Sequence, residues 1–248
     1  MKTDYDILII GAGVIGLSTA YQLAGSEKKI LVVEEKDNYG KGISSRNSEV
    51  VHSGIYYPEG SYKHRLCIRG RELLKEFCSD NNVWYNECGK LIVAQDNQID
   101  SLNTLYDQSI KNKIYGVKEL NSTDIKNYNS LISARAALFI SCTSIFSSHD
   151  FMNKLYSYSY NNNHDYLFKS SIIDVNLNSY GYEIIIKNAF DDIEKFTCRT
   201  VINCAGLSSD IISKLILKEK SKTPEISFSK GCYFKLSSKW NNVFKSLI

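Results

Sequence analysis

The first 36 residues alternate between apolar runs and polar turns in the order strand, turn, helix, strand. Residues 7–10 form an unbroken run of isoleucine and leucine, which is typical of a parallel strand covered on both faces. A glycine-containing turn and a helix over residues 14–24 follow, and residues 30–33 predict a second buried strand. This order predicts an α/β domain in which helices pack against a parallel sheet.

The turn between the first strand and the helix carries the glycine spacing of a dinucleotide site. Gly11 permits a tight turn, Gly13 leaves the backbone accessible to a pyrophosphate, and Gly16 lets the helix pack closely on the sheet. The free N–H groups at the start of the helix, from Val14 onward, face the phosphates in such sites. Glu34 ends the second strand and can accept hydrogen bonds from both ribose hydroxyls. The motif alone fits NAD and FAD equally.

Later segments predict further helices and strands. Apolar positions recur at helical spacing in residues 61–78 and 97–113, and residues 117–128 predict a short strand followed by a polar helix. Apolar or alternating runs predict strands at residues 166–176, 182–187 and 201–203.

Composition narrows the class of protein. The chain has 248 residues, 43% hydrophobic and 23% charged, which is typical of a globular protein. A net charge of +3 without a basic block argues against a nucleic-acid partner. No apolar run is long enough to predict a transmembrane helix, and the first strand begins where a signal peptide would lie. The seven cysteines include no C-x-x-C pair, so we expect reduced thiols, no metal site and a cytoplasmic protein.

Residues 44–78 read SSRNSEVVHSGIYYPEGSYKHRLCIRGRELLKEFC. This stretch resembles the segment that follows the dinucleotide fold in L-2-hydroxyglutarate dehydrogenases and oxidases, FAD enzymes of the D-amino-acid-oxidase-like superfamily. The matching positions are Arg46, Asn47, Ser48, Val50, His52, Gly54, Ile55, Tyr56, Tyr57, Leu66, Cys67 and Gly70. Glu49 departs from the family pattern, in which a glycine is common at that position.

Residues 200–210, TVINCAGLSSD, resemble a second motif of the same family. Paired with the glycine turn and Glu34, this return segment favours FAD over NAD. Residues 88–94 and 226–236 also resemble family strands, and residues 136–148 lie where the family commonly shows a strand. We expect residues 226–236 to form a strand of the substrate domain. Ser144 and Ser147 depart from the family, which commonly has glycine and aspartate there.

The resemblance implies an α/β fold with two domains. A Rossmann-like FAD-binding domain, with a parallel sheet and helices, is expected at residues 1–85 and 166–225. An incomplete α+β substrate domain with an antiparallel sheet is expected at residues 86–165 and 226–248. The family continues beyond the position of residue 248, so we expect a truncated chain or one completed by a second polypeptide.

The resemblance also assigns the FAD-binding residues. A loop of serine, arginine and asparagine can bond the ribitol and pyrophosphate, and Arg46 can neutralise phosphate charge. Backbone near residue 172 bonds the adenine in the superfamily, and the C-A-G turn gives bare backbone over the cofactor. The expected cofactor-binding residues are Gly11, Gly13, Val14, Ile15, Gly16, Glu34, Glu35, Ser44, Ser45, Arg46, Asn47, Ser48, Ile172, Ala205 and Gly206.

The implied reaction is the oxidation of a small 2-hydroxy acid, with L-2-hydroxyglutarate the best candidate. His52 would remove the hydroxyl proton while the hydride goes to the flavin, and Tyr57 would line the substrate pocket beside Tyr56. A hydrogen-bonded structural histidine and packing tyrosines fit the same residues equally well. Electrons would pass to oxygen or to a quinone or other membrane acceptor, which allows a peripheral position at the inner membrane.

Two alternatives remain open on sequence grounds. Other oxidoreductases of the superfamily share the layout, including amino-acid oxidases and glycerol-3-phosphate dehydrogenases. The latter carry arginine and tyrosine where this chain has Tyr56 and Tyr57. The absence of that arginine from this chain argues against a phosphate substrate. The other alternative is a non-catalytic fragment, or a subunit that another chain completes.

Overall fold

The computed structural model describes residues 2–218, 223–234, 237–240 and 243–248. The strands are β1 (Tyr5–Ile10), β2 (Ile30–Val33), β3 (Val50–Val51), β4 (Tyr85–Asn86), β5 (Lys90–Ala94), β6 (Val117–Asn121), β7 (Ala136–Ile140), β8 (Ser144–Phe146), β9 (Asp165–Leu167), β10 (Ser171–Asn178), β11 (Gly181–Lys187) and β12 (Ile193–Asn203). The helices are α1 (Val14–Leu23), α2 (Tyr62–Asp80), α3 (Ile99–Lys111), α4 (Ser122–Tyr128), α5 (Ser148–Asn161) and α6 (Ser209–Leu217). The chain divides into two compact units, Met1–Asn47 with Ser148–Gly231 and Ser48–Ser147 with Cys232–Ile248.

The first unit is built on a six-stranded sheet in the order β10-β11-β12-β1-β2-β9. Strands β12, β1, β2 and β9 run parallel, and β10 and β11 form an antiparallel hairpin at the other edge. All four residues of β2 are buried, and so are the last three of β1. Helix α1 contacts β1, β2 and α5, while α6 contacts β10 and β12. The predicted α/β class, with buried parallel strands, is confirmed.

Strand β12 belongs to both parts of this sheet. Its first half pairs antiparallel with β11, and its second half pairs parallel with β1. Cys198, at the changeover, is opposite Tyr182 on one side and Tyr5 on the other. The strand is therefore much longer than the three residues, 201–203, that its buried apolar run indicated.

The single strand predicted at residues 166–176 is wrong, because the segment forms two strands. β9 pairs parallel with β2, whereas β10 pairs antiparallel with β11. Between them Lys169 has a φ of 53°, a left-handed conformation that interrupts the extended backbone. The Lys169 N–H donates to the Lys36 carbonyl at 2.8 Å, and the Ser170 N–H donates to the Glu34 carbonyl at 3.0 Å. The break therefore seats this turn against the end of β2.

The second unit contains two three-stranded antiparallel sheets, β3-β8-β4 and β5-β7-β6. Helix α3 contacts β5 and β7, α4 contacts β6 and β7, and α2 contacts β4. Near the C-terminus, Leu247 pairs with Lys90 at the β5 edge. The antiparallel character predicted for the substrate domain matches this unit.

The unit boundaries differ from the predicted domain limits at residues 85/86 and 165/166. Strand β3 pairs with β8, so the chain already belongs to the second unit from Ser48 onward. Helix α5 contacts α1, which assigns the chain to the first unit again from Ser148. These long-range contacts, which sequence patterns do not record, set the limits. No helix within the described ranges is long and apolar enough to cross a membrane.

The strand predicted at residues 226–236 is not formed at residues 226–234, and Lys235 and Leu236 lie outside the described residues. Phe228, Tyr233 and Phe234 of this segment are 73%, 71% and 96% exposed. A strand needs a neighbour to accept and donate its backbone hydrogen bonds. The described part of the chain supplies no such neighbour here, so the apolar pattern alone does not produce a strand.

Candidate functional site

A cavity of about 560 Å³ lies in the first unit at the carboxyl ends of β1, β2 and β12. Ligands of open parallel sheets bind at this end, and the volume is typical of small-molecule sites. Ten of the predicted cofactor-binding residues line the cavity: Gly11, Gly13, Val14, Ile15, Glu34, Glu35, Ser44, Ile172, Ala205 and Gly206. The structure therefore brings together residues that lie up to 195 positions apart in the chain.

The glycine turn packs directly against the chain that follows β12. Gly11 has a φ of +100°, and a Cβ atom there would lie 2.5 Å from the Cys204 carbonyl oxygen. A Cβ atom on Gly16 would lie 1.9 Å from the Gly11 carbonyl oxygen. Gly16 does not line the cavity, so it serves the close packing of α1 on the turn.

The Glu34 carboxylate is fixed by two backbone donors. Its Oε2 accepts from the Ala12 N–H at 2.7 Å, and its Oε1 accepts from the Lys36 N–H at 2.9 Å. Each carboxylate oxygen has about two acceptor sites, so one on each oxygen remains for another donor. A pair of adjacent ribose hydroxyls matches that remaining capacity.

The N-terminus of α1 faces the polar loop after β2. The Val14 N–H donates to Ser44 Oγ at 2.9 Å. The first N–H groups of a helix have no acceptor within it, and the helix dipole makes this end positive. A hydroxyl oxygen and a phosphate oxygen are both acceptors that suit this position, so the arrangement fits a pyrophosphate.

Four predicted residues of the polar loop do not line the cavity. Ser45 Oγ donates to the Gly42 carbonyl at 3.1 Å, and Asn47 Nδ2 donates to the Ser44 carbonyl at 2.8 Å, so both order the loop. Arg46 is exposed and forms no ion pair with the described residues. Ser48 is exposed and begins the second unit.

Several cavity residues escaped the sequence prediction, notably Lys36, Ser170, Ser171, Leu207 and Ser208. The serines reach the cavity because of the break between β9 and β10, which the polar run at residues 169–171 marks in the sequence and which a single predicted strand overlooked. Leu207 and Ser208 belong to the C-A-G segment and follow its predicted residues directly.

Asn203 orders the turn that carries Ala205 and Gly206. Its Nδ2 donates to the Ser209 carbonyl at 2.8 Å and to Ser213 Oγ at 3.1 Å, and its Oδ1 accepts from the Ala205 N–H at 3.2 Å. One side chain thus joins the end of β12, the turn and the first part of α6. The asparagine of the family motif has a structural role in this chain.

His52 lies in the second unit, directly after β3. Its side chain is exposed, and Cys67 Sγ donates to its backbone carbonyl at 3.2 Å. Partial desolvation by surrounding protein atoms, together with the charges of Lys90 and Lys63, lowers the pKa of His52. The lowered pKa favours the neutral imidazole, which is the form that accepts a proton.

The loop that carries Tyr56 and Tyr57 is held by a buried polar side chain. Asn112, 1% exposed at the end of α3, donates from Nδ2 to the Gly54 carbonyl at 3.0 Å and to the Tyr57 carbonyl at 2.8 Å. His64 Nδ1 accepts from the Gly60 N–H at 3.2 Å, which leaves its Nε2–H to donate to the Asn112 carbonyl at 3.3 Å. These residues fix the turn after His52, and no sequence motif marks them.

Replacing Asn112 by alanine is expected to lower the free energy of unfolding by about 1–2 kcal/mol, since the Gly54 and Tyr57 carbonyls lose their shorter hydrogen bonds and keep only the donors at 3.3 Å and 3.4 Å. Urea denaturation followed by circular dichroism measures the change. Asn103→Ala, at an exposed position of the same helix, is the control and is expected to change stability by less than about 0.5 kcal/mol. Equal effects of the two substitutions would contradict the role given to Asn112.

Comparison with known proteins identifies the family to which this chain is related. The family model described as FAD dependent oxidoreductase matches residues 6–247. The chain is 29% identical to the mitochondrial L-2-hydroxyglutarate dehydrogenase of Arabidopsis thaliana, over 95% of this chain and 55% of the relative. It is 27% identical to the L-2-hydroxyglutarate dehydrogenase of Escherichia coli, over 98% of this chain and 57% of the relative. The chain thus spans little more than half the length of these relatives.

Among solved structures, the dithionite-reduced L-alpha-glycerophosphate oxidase of Mycoplasma pneumoniae with FAD bound has a TM-score of 0.78. It shares 22% identity, and the match covers 88% of this chain and 58% of that one. At this identity the likeness establishes the fold. The family resemblance and the FAD cofactor predicted from the sequence are both confirmed. The chain belongs to the FAD dependent oxidoreductase family.

Proposed function

We propose that the cavity of the first unit binds the adenosine diphosphate part of FAD, and that the protein oxidises L-2-hydroxyglutarate to 2-oxoglutarate. The observation that carries the cofactor assignment is the Glu34 carboxylate, held at 2.7 Å from the Ala12 N–H on the glycine turn. This contact joins the ribose acceptor to the phosphate-facing end of α1 in one cavity. The names of the curated relatives support the substrate.

Each part of the cofactor is assigned to different residues of the cavity. The N-terminus of α1 and Ser44 would bind the pyrophosphate. The Glu34 carboxylate would accept hydrogen bonds from the ribose hydroxyls. The backbone at Ile172 borders the adenine, and Ala205 and Gly206 keep side chains away from the cofactor. An exposed Arg46 without an ion pair among the described residues is free to approach a phosphate.

The proposed chemistry removes one proton and one hydride from the substrate. FAD, when bound, would supply the hydride acceptor for C2 of the 2-hydroxy acid. A ring nitrogen of His52 accepts the proton of the 2-hydroxyl group, and the C–O bond becomes a carbonyl. The lowered pKa of His52 keeps the imidazole unprotonated and ready for this step.

The purified chain, reconstituted with FAD, is expected to show a bound-flavin visible spectrum that L-2-hydroxyglutarate bleaches under anaerobic conditions. Glycerol 3-phosphate and glycine are the comparison substrates, and D-2-hydroxyglutarate controls for stereochemistry. A chain that retains no flavin after gel filtration contradicts the cofactor assignment. Retained flavin that glycerol 3-phosphate or glycine bleaches faster would overturn the substrate assignment alone.

A further inference from the structure

Two lysines of the second unit lie against the tyrosines that follow His52. Lys63, in the first turn of α2, has its Nζ 4.7 Å from the centre of the Tyr57 ring. Lys90, the first residue of β5, has its Nζ 4.9 Å from the centre of the Tyr56 ring. Lys90 Nζ also donates to Tyr56 Oη at 3.0 Å. Each ammonium group is thus held over a separate ring.

Neither lysine has a carboxylate partner among the residues that the structure describes. Lys75 of the same unit, by contrast, pairs with Glu87 at 2.8 Å. The charges of Lys90 and Lys63 both reach His52, where they lower the pKa of the imidazole. The group therefore carries uncompensated positive charge beside the proposed base.

The group offers two ammonium groups to an anionic ligand, one on each tyrosine ring. Each is a compact point charge and, unlike an arginine, presents no planar fork to a single anion. The Tyr56 hydroxyl accepts from Lys90, which leaves its O–H to donate to a carboxylate oxygen. A substrate with a carboxylate at each end supplies one anionic group for each of the two cations.

We propose that Lys63 and Lys90, with the Tyr56 hydroxyl, bind the two carboxylates of a dicarboxylate substrate and set the selectivity for dicarboxylates over monocarboxylates. This inference rests on the proposed function for the identity of the reaction. It adds the residues that recognise the substrate charge. His52 then lies beside the substrate that these cations hold.

Isothermal titration calorimetry of glutarate into the full chain tests the proposal. Glutarate lacks the 2-hydroxyl group and cannot be oxidised, so binding is measured apart from turnover. The wild-type chain is expected to bind glutarate about tenfold more tightly than butyrate, and Lys63→Gln and Lys90→Gln are each expected to weaken glutarate binding about tenfold. Lys118→Gln, at an exposed position of β6, is the matched control and is expected to bind as the wild type does.

Lys63→Arg and Lys90→Arg keep the charge and are expected to retain more glutarate binding than the glutamine variants. Circular dichroism verifies that each variant is folded. Absent glutarate binding, equal affinity for butyrate, or unchanged affinity in both glutamine variants would overturn the proposal. The proposal would also be overturned if glycerol 3-phosphate bound more tightly than glutarate and this binding depended on the two lysines, because the cations would then bind a phosphate.

The two proposals fail in different ways. If L-2-hydroxyglutarate bleaches the bound flavin at the expected rate, but neither glutamine variant changes the affinity for glutarate, only the role given to the two lysines is wrong. If the chain binds glutarate through these lysines, but L-2-hydroxyglutarate does not bleach the bound flavin, the proposed reaction is wrong and the dicarboxylate site still stands.

Discussion

Replacing Gly16 by valine is expected to remove flavin binding and to lower the free energy of unfolding by more than about 3 kcal/mol. A Cβ atom at this position would lie 1.9 Å from the Gly11 carbonyl oxygen, and valine adds two further methyl groups. The neighbour is backbone, so a side-chain rotation cannot relieve the overlap. Helix α1 must move away from the turn, and its N-terminal N–H groups then leave the phosphate position.

Gly70→Val is the matched control for this substitution. Gly70 also lies inside a helix, α2, and a Cβ atom there has no neighbour within 4 Å. Its replacement is expected to change stability by less than about 1 kcal/mol, since valine is a slightly better helix former than glycine. Urea denaturation and the flavin retained after gel filtration measure both variants. Full flavin content in Gly16→Val would refute the close-packing role of this glycine.

Replacing His52 by alanine is expected to slow anaerobic bleaching by L-2-hydroxyglutarate about 10²- to 10⁴-fold, the usual contribution of a general base. Stopped-flow measurement of the flavin absorbance gives this rate. His149→Ala, at an exposed histidine of α5, is the control. A wild-type bleaching rate in His52→Ala, with normal flavin content, would rule out His52 as the base.

The pH dependence of the same rate has a definite sign. Desolvation, Lys90 and Lys63 hold the pKa of His52 below its ordinary value. The rate is therefore expected to fall as pH decreases through this lowered pKa, and to stay constant above it. In Lys90→Gln one source of repulsion is gone, so the pKa of His52 rises and the acid limb moves to higher pH.

The glycine turn and its flanking strands could be predicted because their signal is local. Strand β1, Gly11, Gly16 and β2 lie within one stretch of 33 residues that ends at Val33, and each residue type has a conformational reason. The return segment at β12 was recognised by its motif, but its length was not. The antiparallel half of β12 depends on pairing with β11, which an apolar run does not report.

The missed features depend on contacts between distant residues. Asn112 is 58 positions from Gly54, whose carbonyl it binds, and nothing around Asn112 in the sequence indicates that partner. The break at Lys169 separates β9 and β10, which pair with different strands, and the polar run at residues 169–171 is its only local signal. Residues 226–236 show the converse, because they resemble a family strand and form no strand in their described part.

Glu49 illustrates a departure that the backbone explains. It stands where the family commonly has glycine, and its φ of 57° lies in the region that glycine adopts without cost. The conformation is kept although the residue has changed. The glycine that is common in the family thus indicates that this turn requires a positive φ, and Glu49 adopts that conformation in spite of its charged side chain.

The dual pairing of β12 has a consequence for biosynthesis. β1 and β2 leave the ribosome together, but Tyr5 meets its partner Cys198 only after 193 more residues have been made. At about 5–20 residues per second this delay is roughly 10–40 seconds. During that interval one edge of β1 has no neighbour, and it can pair with strands of other nascent chains. Protection by a chaperone would matter most over this window, before translation reaches the end of β12.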